Sequence, residues 1–196
     1  MGMNTGILLL WGVWDHIYQR CTRLRYVNKQ SNIFRVVLLR YRGETLLTSD
    51  NRQICSGDLI LKLHIHNYKF ATLCKGVKNE TRTALLLRKQ IVSSLPSLAS
   101  YLASLPRVGE IKGVVGTTML HKGVSHLGFS VSDVPMNWFF RYKRWYLRIM
   151  MRIIHPNGKE RIKRWDDCMP LKRVYISKEE LFRLYLSPRE AEKEPS

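Results

Sequence analysis

The residues best suited to chemistry lie in one stretch, Leu59-Ile60-Leu61-Lys62-Leu63-His64-Ile65-His66-Asn67. Successive side chains of an extended strand point to opposite faces. Leu59, Leu61, Leu63 and Ile65 then share one face, and Ile60, Lys62, His64 and His66 share the other. Two imidazoles on one face can act together as acid and base, or ligate a metal. A metal would need a third ligand brought by folding from His121, His126 or Asp58, and no spacing of the H-E-x-x-H kind supports one. No metal and no cofactor are expected. What remains is a pocket with His64, His66 and Asn67 as catalytic candidates, weighed against an ordinary polar strand face.

A second pattern lies in residues 138–154. Arg141, Arg144, Arg148 and Arg152 recur at spacings of three, four and four, and so line one stripe of a helix. Phe139, Tyr142, Tyr146, Met150 and Ile153 fall on much of the opposite face, with Lys143 as an unexplained interruption. Guanidiniums in line can pair bidentately with phosphates, and Trp145 beside them suits a headgroup boundary. Near the other end of the chain, Trp11, Trp14, Ile17 and Tyr18 form a similar apolar edge. The anion-binding candidates are therefore Arg141, Arg144, Arg148, Arg152, Trp145, Trp11 and Trp14; the competing reading is amphipathic helices whose arginines face water.

Composition supports an anionic partner. The 196 residues carry 33 Lys+Arg against 15 Asp+Glu, a net charge of +18. Residues 16–43 hold cations at Arg20, Arg23, Arg25, Lys29, Arg35, Arg40 and Arg42 with no acid among them. Such an excess attracts phosphate-bearing surfaces, membrane or nucleic acid. Cys21, Cys55, Cys74 and Cys168 are scattered, which fits neither a disulfide framework nor zinc spacing and suits a reducing compartment. The apolar run 7–13 is too short to span a bilayer and lacks the flanks of a signal peptide.

These candidates need a scaffold. Residues 5–26 read as an amphipathic helix, and 33–41, 46–48 and 59–66 as strands of an antiparallel meander. Ala84, Leu87, Ile91, Leu95, Leu98, Leu102 and Leu105 form one helical stripe, with Pro96 predicting a kink or two abutting helices. Residues 112–120 and 129–134 read as strands joined by a helical turn at 122–127. Gly113 and Gly116 read as turn or packing glycines, and the chain lacks the Q/R-x-x-G-x-G/A loop that cradles coenzyme A in acetyltransferases. A short strand at 174–176 precedes a Ser177–Glu180 capping box and a helix over 178–186. The expected fold is α+β: a mostly antiparallel sheet covered by a long kinked helix, with basic amphipathic helices near both ends. Residues 1–186 form a single domain and 187–196 a disordered tail.

Several segments together resemble the YkoP-like family of bacterial proteins, a domain also found attached to polysaccharide deacetylases. They are Ile33-Phe34-Arg35-Val36, the run Gly57-Asp58 through His64-Ile65-His66-Asn67, the run Ile111-Lys112-Gly113 through Met119-Leu120, and Leu127-Gly128-Phe129. The C-terminal part from His155-Pro156 through Trp165 to Glu180-Leu181 is similar to the domain as it occurs beside deacetylases. The resemblance implies an envelope-polysaccharide setting and enzymes of that setting as partners. It carries over His64 and Asn67 as a shared site, His66 less directly. The deacetylase His-x-x-x-His pair is absent, so deacetylation is excluded.

The expected function is therefore a basic accessory domain, cytoplasmic and peripheral at the inner membrane face, held there by the arginine stripe. The alternatives are an acyl or glycosyl transferase with a pocket at His64 and His66, and non-specific nucleic-acid binding. Specific nucleic-acid recognition is not expected, because no helix-turn-helix, zinc-finger or RNP1 pattern is present.

Overall fold

The structure, a computed structural model, describes residues 12–13, 20, 22–74, 77, 79–119, 121–135, 137–154 and 170–186. In α3, defined below, the side chains of Phe139 and of residues 150–154 fall outside that description, as does that of Glu80. Trp11, Trp14 and most of the N-terminal helix expected over 5–26 also lie outside the described residues, as does the tail expected at 187–196.

Within them the chain builds a six-stranded sheet. In chain order the elements are β1 (Arg25–Tyr26), β2 (Phe34–Arg40), β3 (Leu46–Leu47), β4 (Gln53–Ile54), β5 (Leu59–Ile65), α1 (Asn67–Leu73), α2 (Glu80–Ala103), β6 (Ile111–Thr118), β7 (Ser130–Asp133), α3 (Trp138–Ile154), β8 (Lys172–Ser177) and α4 (Lys178–Tyr185). The sheet order is β1-β2-β5-β6-β8-β7, and β3 and β4 pair with each other alone. Every neighbouring pair is antiparallel except β5 with β6. That parallel pair requires a crossover, which α1 and α2 supply.

Alternation in β5 decides which face meets the helices. Leu59, Leu61 and Leu63 join Phe34 and Val36 of β2, Val114 of β6 and Val174 and Ile176 of β8 in the main core. The helices close it with Phe70, Leu87, Leu95, Leu98, Leu102 and Leu181. Asn79 caps α2 by accepting from the Thr81 and Arg82 amides, and the helix runs unbroken through Pro96. Ser94 ties it to the entrance of β2: its carbonyl accepts from Asn32 Nδ2 at 2.9 Å and its hydroxyl from the Ile33 amide at 3.1 Å. On the other face a smaller core forms from Tyr41, Leu46, Ile54, Ile60, Val115 and Tyr175. The β3–β4 hairpin covers only that end of the face, because Leu46 and Ile54 pair directly.

Three sequence expectations need correction. The strands 33–41, 46–48 and 59–66 do not form a meander: β2 pairs directly with β5, and the segment between them folds out as its own hairpin. Residues 25 and 26 end the expected N-terminal helix as a strand, after Arg23 takes a left-handed φ of 53°. The capping box is half formed. Ser177 Oγ accepts from the Glu180 amide at 3.0 Å, but the Glu180 carboxylate pairs with Arg183, and the hydroxyl donates to Asp50 Oδ2 at 2.6 Å.

Gly113 marks the tightest point of the sheet. A Cβ there would collide with the Ile176 carbonyl and press on Ile54 Cδ1 at 2.9 Å. Gly113→Ala is expected to destabilise the fold by about 1–3 kcal/mol, the usual cost of overpacking, read as a lowered midpoint of chemical unfolding.

Candidate functional site

The face of the sheet away from α2 divides into a dry end and a cationic end. Ladder register sets the division. Arg35 of β2 stands opposite His64 of β5, Leu63 opposite Gly116 of β6, and Thr117 opposite Arg173 of β8, which in turn faces Ser132 of β7. Partners opposite one another share a face. The sheet thus carries a transverse row of Arg35, His64, Thr117, Arg173 and Ser132. The next row holds Val37, Lys62, Val115, Tyr175 and Ser130. Beyond it begins the apolar cluster around Ile60 and Tyr41.

Lys143 of α3 reaches this cationic end. Burial is the largest force on its ammonium, and Lys62 and Arg173 add to it; together they lower its pKa from 10.5 to about 7. The Lys62 ammonium is lowered by burial and by Arg173. His64 is lowered from 6.5 to about 3, first by burial, then by Lys143, Lys62 and Arg35. Among the described residues every charge acting on these groups is positive. Among the described residues no carboxylate forms an ion pair with Lys62, Lys143 or Arg173. Arg173 is 6% exposed, and its guanidinium rests over the Tyr41 ring at 5.5 Å. That contact is attractive without neutralising the charge. Ser132 Oγ is buried with no hydrogen-bond partner.

His66 belongs to a different arrangement. Its Nε2 is in hydrogen-bond contact with the Arg35 guanidinium, and its ring meets Tyr26 edge-on with centroids 5.4 Å apart. Arg35 also donates to Tyr26 Oη at 2.7 Å and lies over that ring. His66 therefore anchors β1 to β2 and precedes α1, while Asn67 opens that helix half-buried. No hydrogen bond joins His64, His66 and Asn67 to one another among the described residues. Asp58 accepts from the Cys55 amide at the far end of β5, and His126 is exposed in the turn before β7. Among the described residues no group of three His, Cys, Asp or Glu side chains is placed to hold a metal ion.

The outer face of α3 carries aromatic rings as well as arginine. Trp138, Tyr142 and Trp145 are 81%, 57% and 58% exposed, and Arg141 is exposed beside them. These positions, at spacings of three and four, form one outward strip. Arg144 and Arg148 are half-buried, and Tyr146 packs against the main core. Arg152 lies in the helix, but its side chain is outside the described residues. The interruption at Lys143 now has a physical reason, since α3 turns it toward the cationic end of the sheet. No helix among the described residues is long and apolar enough to cross a membrane.

Comparison with known proteins gives one family. The model of the YkoP domain matches residues 4–185. The chain is 36% identical over 140 residues to "Uncharacterized protein YkoP" of Bacillus subtilis (strain 168), covering 71% of this chain and 76% of that protein. No solved structure matches.

Lys143 generates a stability prediction with a definite sign. Its pKa is lower in the folded chain, about 7, than in the unfolded chain, 10.5. The folded state therefore resists the proton that the unfolded state takes up. That penalty grows as pH falls from about 10 to about 7 and is constant below. Lys143→Met should raise stability in phosphate-free buffer by about 1–3 kcal/mol near pH 7 and by less near pH 9.5. Thermal unfolding at both pH values checks this, and an equal effect at both would contradict the burial of the ammonium.

Proposed function

We propose that this chain, which belongs to the YkoP domain family, is a binding domain for anionic membrane surfaces rather than an enzyme of group transfer. The observation that carries the reading is the outward strip of α3. Three large aromatic rings with an arginine among them are costly to leave in water and suit a headgroup layer, where ring and guanidinium both find partners. The net charge of +18 supports it by drawing the domain to an anionic leaflet, each basic residue near the surface contributing about 1 kcal/mol. The docking residues of this reading are Trp138, Arg141, Tyr142 and Trp145, in place of a straight line of arginines. A cytoplasmic position and an envelope-polysaccharide setting belong to the proposal and rest on composition and on the resemblance of the sequence.

Acid–base catalysis at His64 is the weaker reading. An imidazole held near 3 has no proton to give at neutral pH and is a poor base there. His66 is committed to Arg35 and Tyr26.

Flotation with phosphatidylglycerol-containing vesicles, with duplex DNA in excess, tests the reading. The wild-type chain is expected to float with anionic vesicles and not with neutral ones. Trp145→Ala combined with Arg141→Glu should weaken partitioning by about ten-fold or more, given about 1 kcal/mol per basic residue and the added loss of the ring. Unchanged partitioning of the double variant, or complete displacement of the wild type by DNA, would overturn it.

A further inference from the structure

We propose that Lys62, Lys143 and Arg173, with His64, Thr117 and Ser132 around them, form a binding site for a phosphate-type oxyanion on the half-buried sheet face beside α3. The site is separate from the outward strip and is tested without membranes.

Three separate elements, β5, α3 and β8, bring basic side chains to one place. Like charges withdrawn from water repel strongly, and proteins ordinarily neutralise them with a carboxylate. Here the described residues supply none. Lys62, Lys143 and Arg173 enter no hydrogen bond or ion pair among the described residues, so their donors are available to a ligand. The row adds two hydroxyls, Thr117 and the partnerless Ser132 Oγ, on the two sides of Arg173. An arrangement of ammoniums, a planar guanidinium and hydroxyls, without an acid, matches a tetrahedral dianion with several acceptor oxygens. The Tyr41 ring holds the Arg173 guanidinium in place before any ligand arrives. A nucleic-acid backbone fits less well, because the cluster is half-buried and converges on one point rather than following a line.

A ligand of this charge would also be linked to protons. Lys143 is faced by Lys62 of β5 and Arg173 of β8, and by His64 of β5, whose imidazole also feels Arg35 of β2. None of these is an acid at neutral pH, so an incoming dianion would meet no other negative charge among the described residues of the site. Binding should therefore draw a proton onto Lys143, so that affinity for the dianion itself, with the ligand's own ionisation subtracted, tightens as pH falls through about 7.

The phosphate could belong to a soluble phosphorylated molecule or to a lipid headgroup, and two probes separate them. The full chain in chloride buffer is titrated by calorimetry with inorganic phosphate and with dihexanoyl phosphatidate below its micellar concentration. One saturable site is expected for phosphate, with proton uptake by the protein near neutral pH once the proton released by phosphate itself is subtracted. Lys143→Met and Arg173→Gln should each weaken it by about ten-fold or more, the usual loss of a charge-assisted contact. Arg82→Gln with Arg88→Gln, exposed on α2, should leave it within about two-fold. Phosphatidate at least about ten-fold tighter than phosphate assigns a lipid headgroup, and equal affinity assigns a soluble phosphate compound. A site needed only for folding would lose stability when its charges are removed; here Lys62→Met and Lys143→Met should melt higher without phosphate and lose the stabilisation phosphate gives. No saturable binding, or equal weakening by the α2 pair, would overturn the proposal.

Discussion

A strand at the centre of a sheet cannot choose its faces residue by residue. Once β5 lies between β2 and β6, the side-chain period of two sends Leu59, Leu61 and Leu63 to the helices and Ile60, Lys62 and His64 to the other side. A slip of one residue would bury Lys62 and His64 under α2 and expose the leucines, so the main core holds the register in place. The cationic row is therefore a product of the same alternation that builds the core. Its neighbours follow from the ladders on either side, which bring Arg35, Thr117, Arg173 and Ser132 into line.

The two ends of that face solve the problem of burial differently. At one end the β3–β4 hairpin and Tyr41 pack with Ile60, Val115 and Tyr175 as an apolar cluster, and the Arg173 guanidinium rests over the Tyr41 ring at its border. At the other end Lys62, Lys143 and Arg173 share a half-buried space with one another. The long aliphatic stems of Lys and Arg can line apolar surface cheaply, but their heads cannot lose water without a partner. The fold therefore carries a local electrostatic cost at this end, which a bound anion would relieve and which well-packed apolar residues would remove outright.

Part of this was legible in the sequence. The division of β5 into two faces could be read because alternation is local, and the capped helix after Asn79 carried its stripe from Leu87 to Leu102 on the surface of the text. The strand at 112–120 and the turn at 122–127 fell close to β6 and the helical turn at Val124–Leu127. Other features depend on tertiary choices that leave no local mark. The rotation of α3 is one: spacing alone placed Arg141, Arg144, Arg148 and Arg152 on a common stripe, but not which edge of that stripe would face the sheet. That rotation turns Lys143 inward and Tyr142 outward. The pairing of β2 directly with β5 is another, since a short excursion through β3 and β4 reads in sequence like one more strand of a meander. Arg173 was invisible as a site residue because its meaning comes from a strand distant in sequence, although a lone Lys62 on a strand of leucines and isoleucines was a signal available from the start.

The central claim is that lysines are withdrawn from water on this face with no counter-charge among the described residues. Nuclear magnetic resonance titration of the lysine side chains in isotope-labelled protein, in chloride buffer and assigned by Lys62→Met and Lys143→Met, measures that directly. The account predicts that Lys143 titrates near 7 and Lys62 below the ordinary 10.5. Ordinary values near 10.5 for both would contradict it, and with it the electrostatic basis of the anion site.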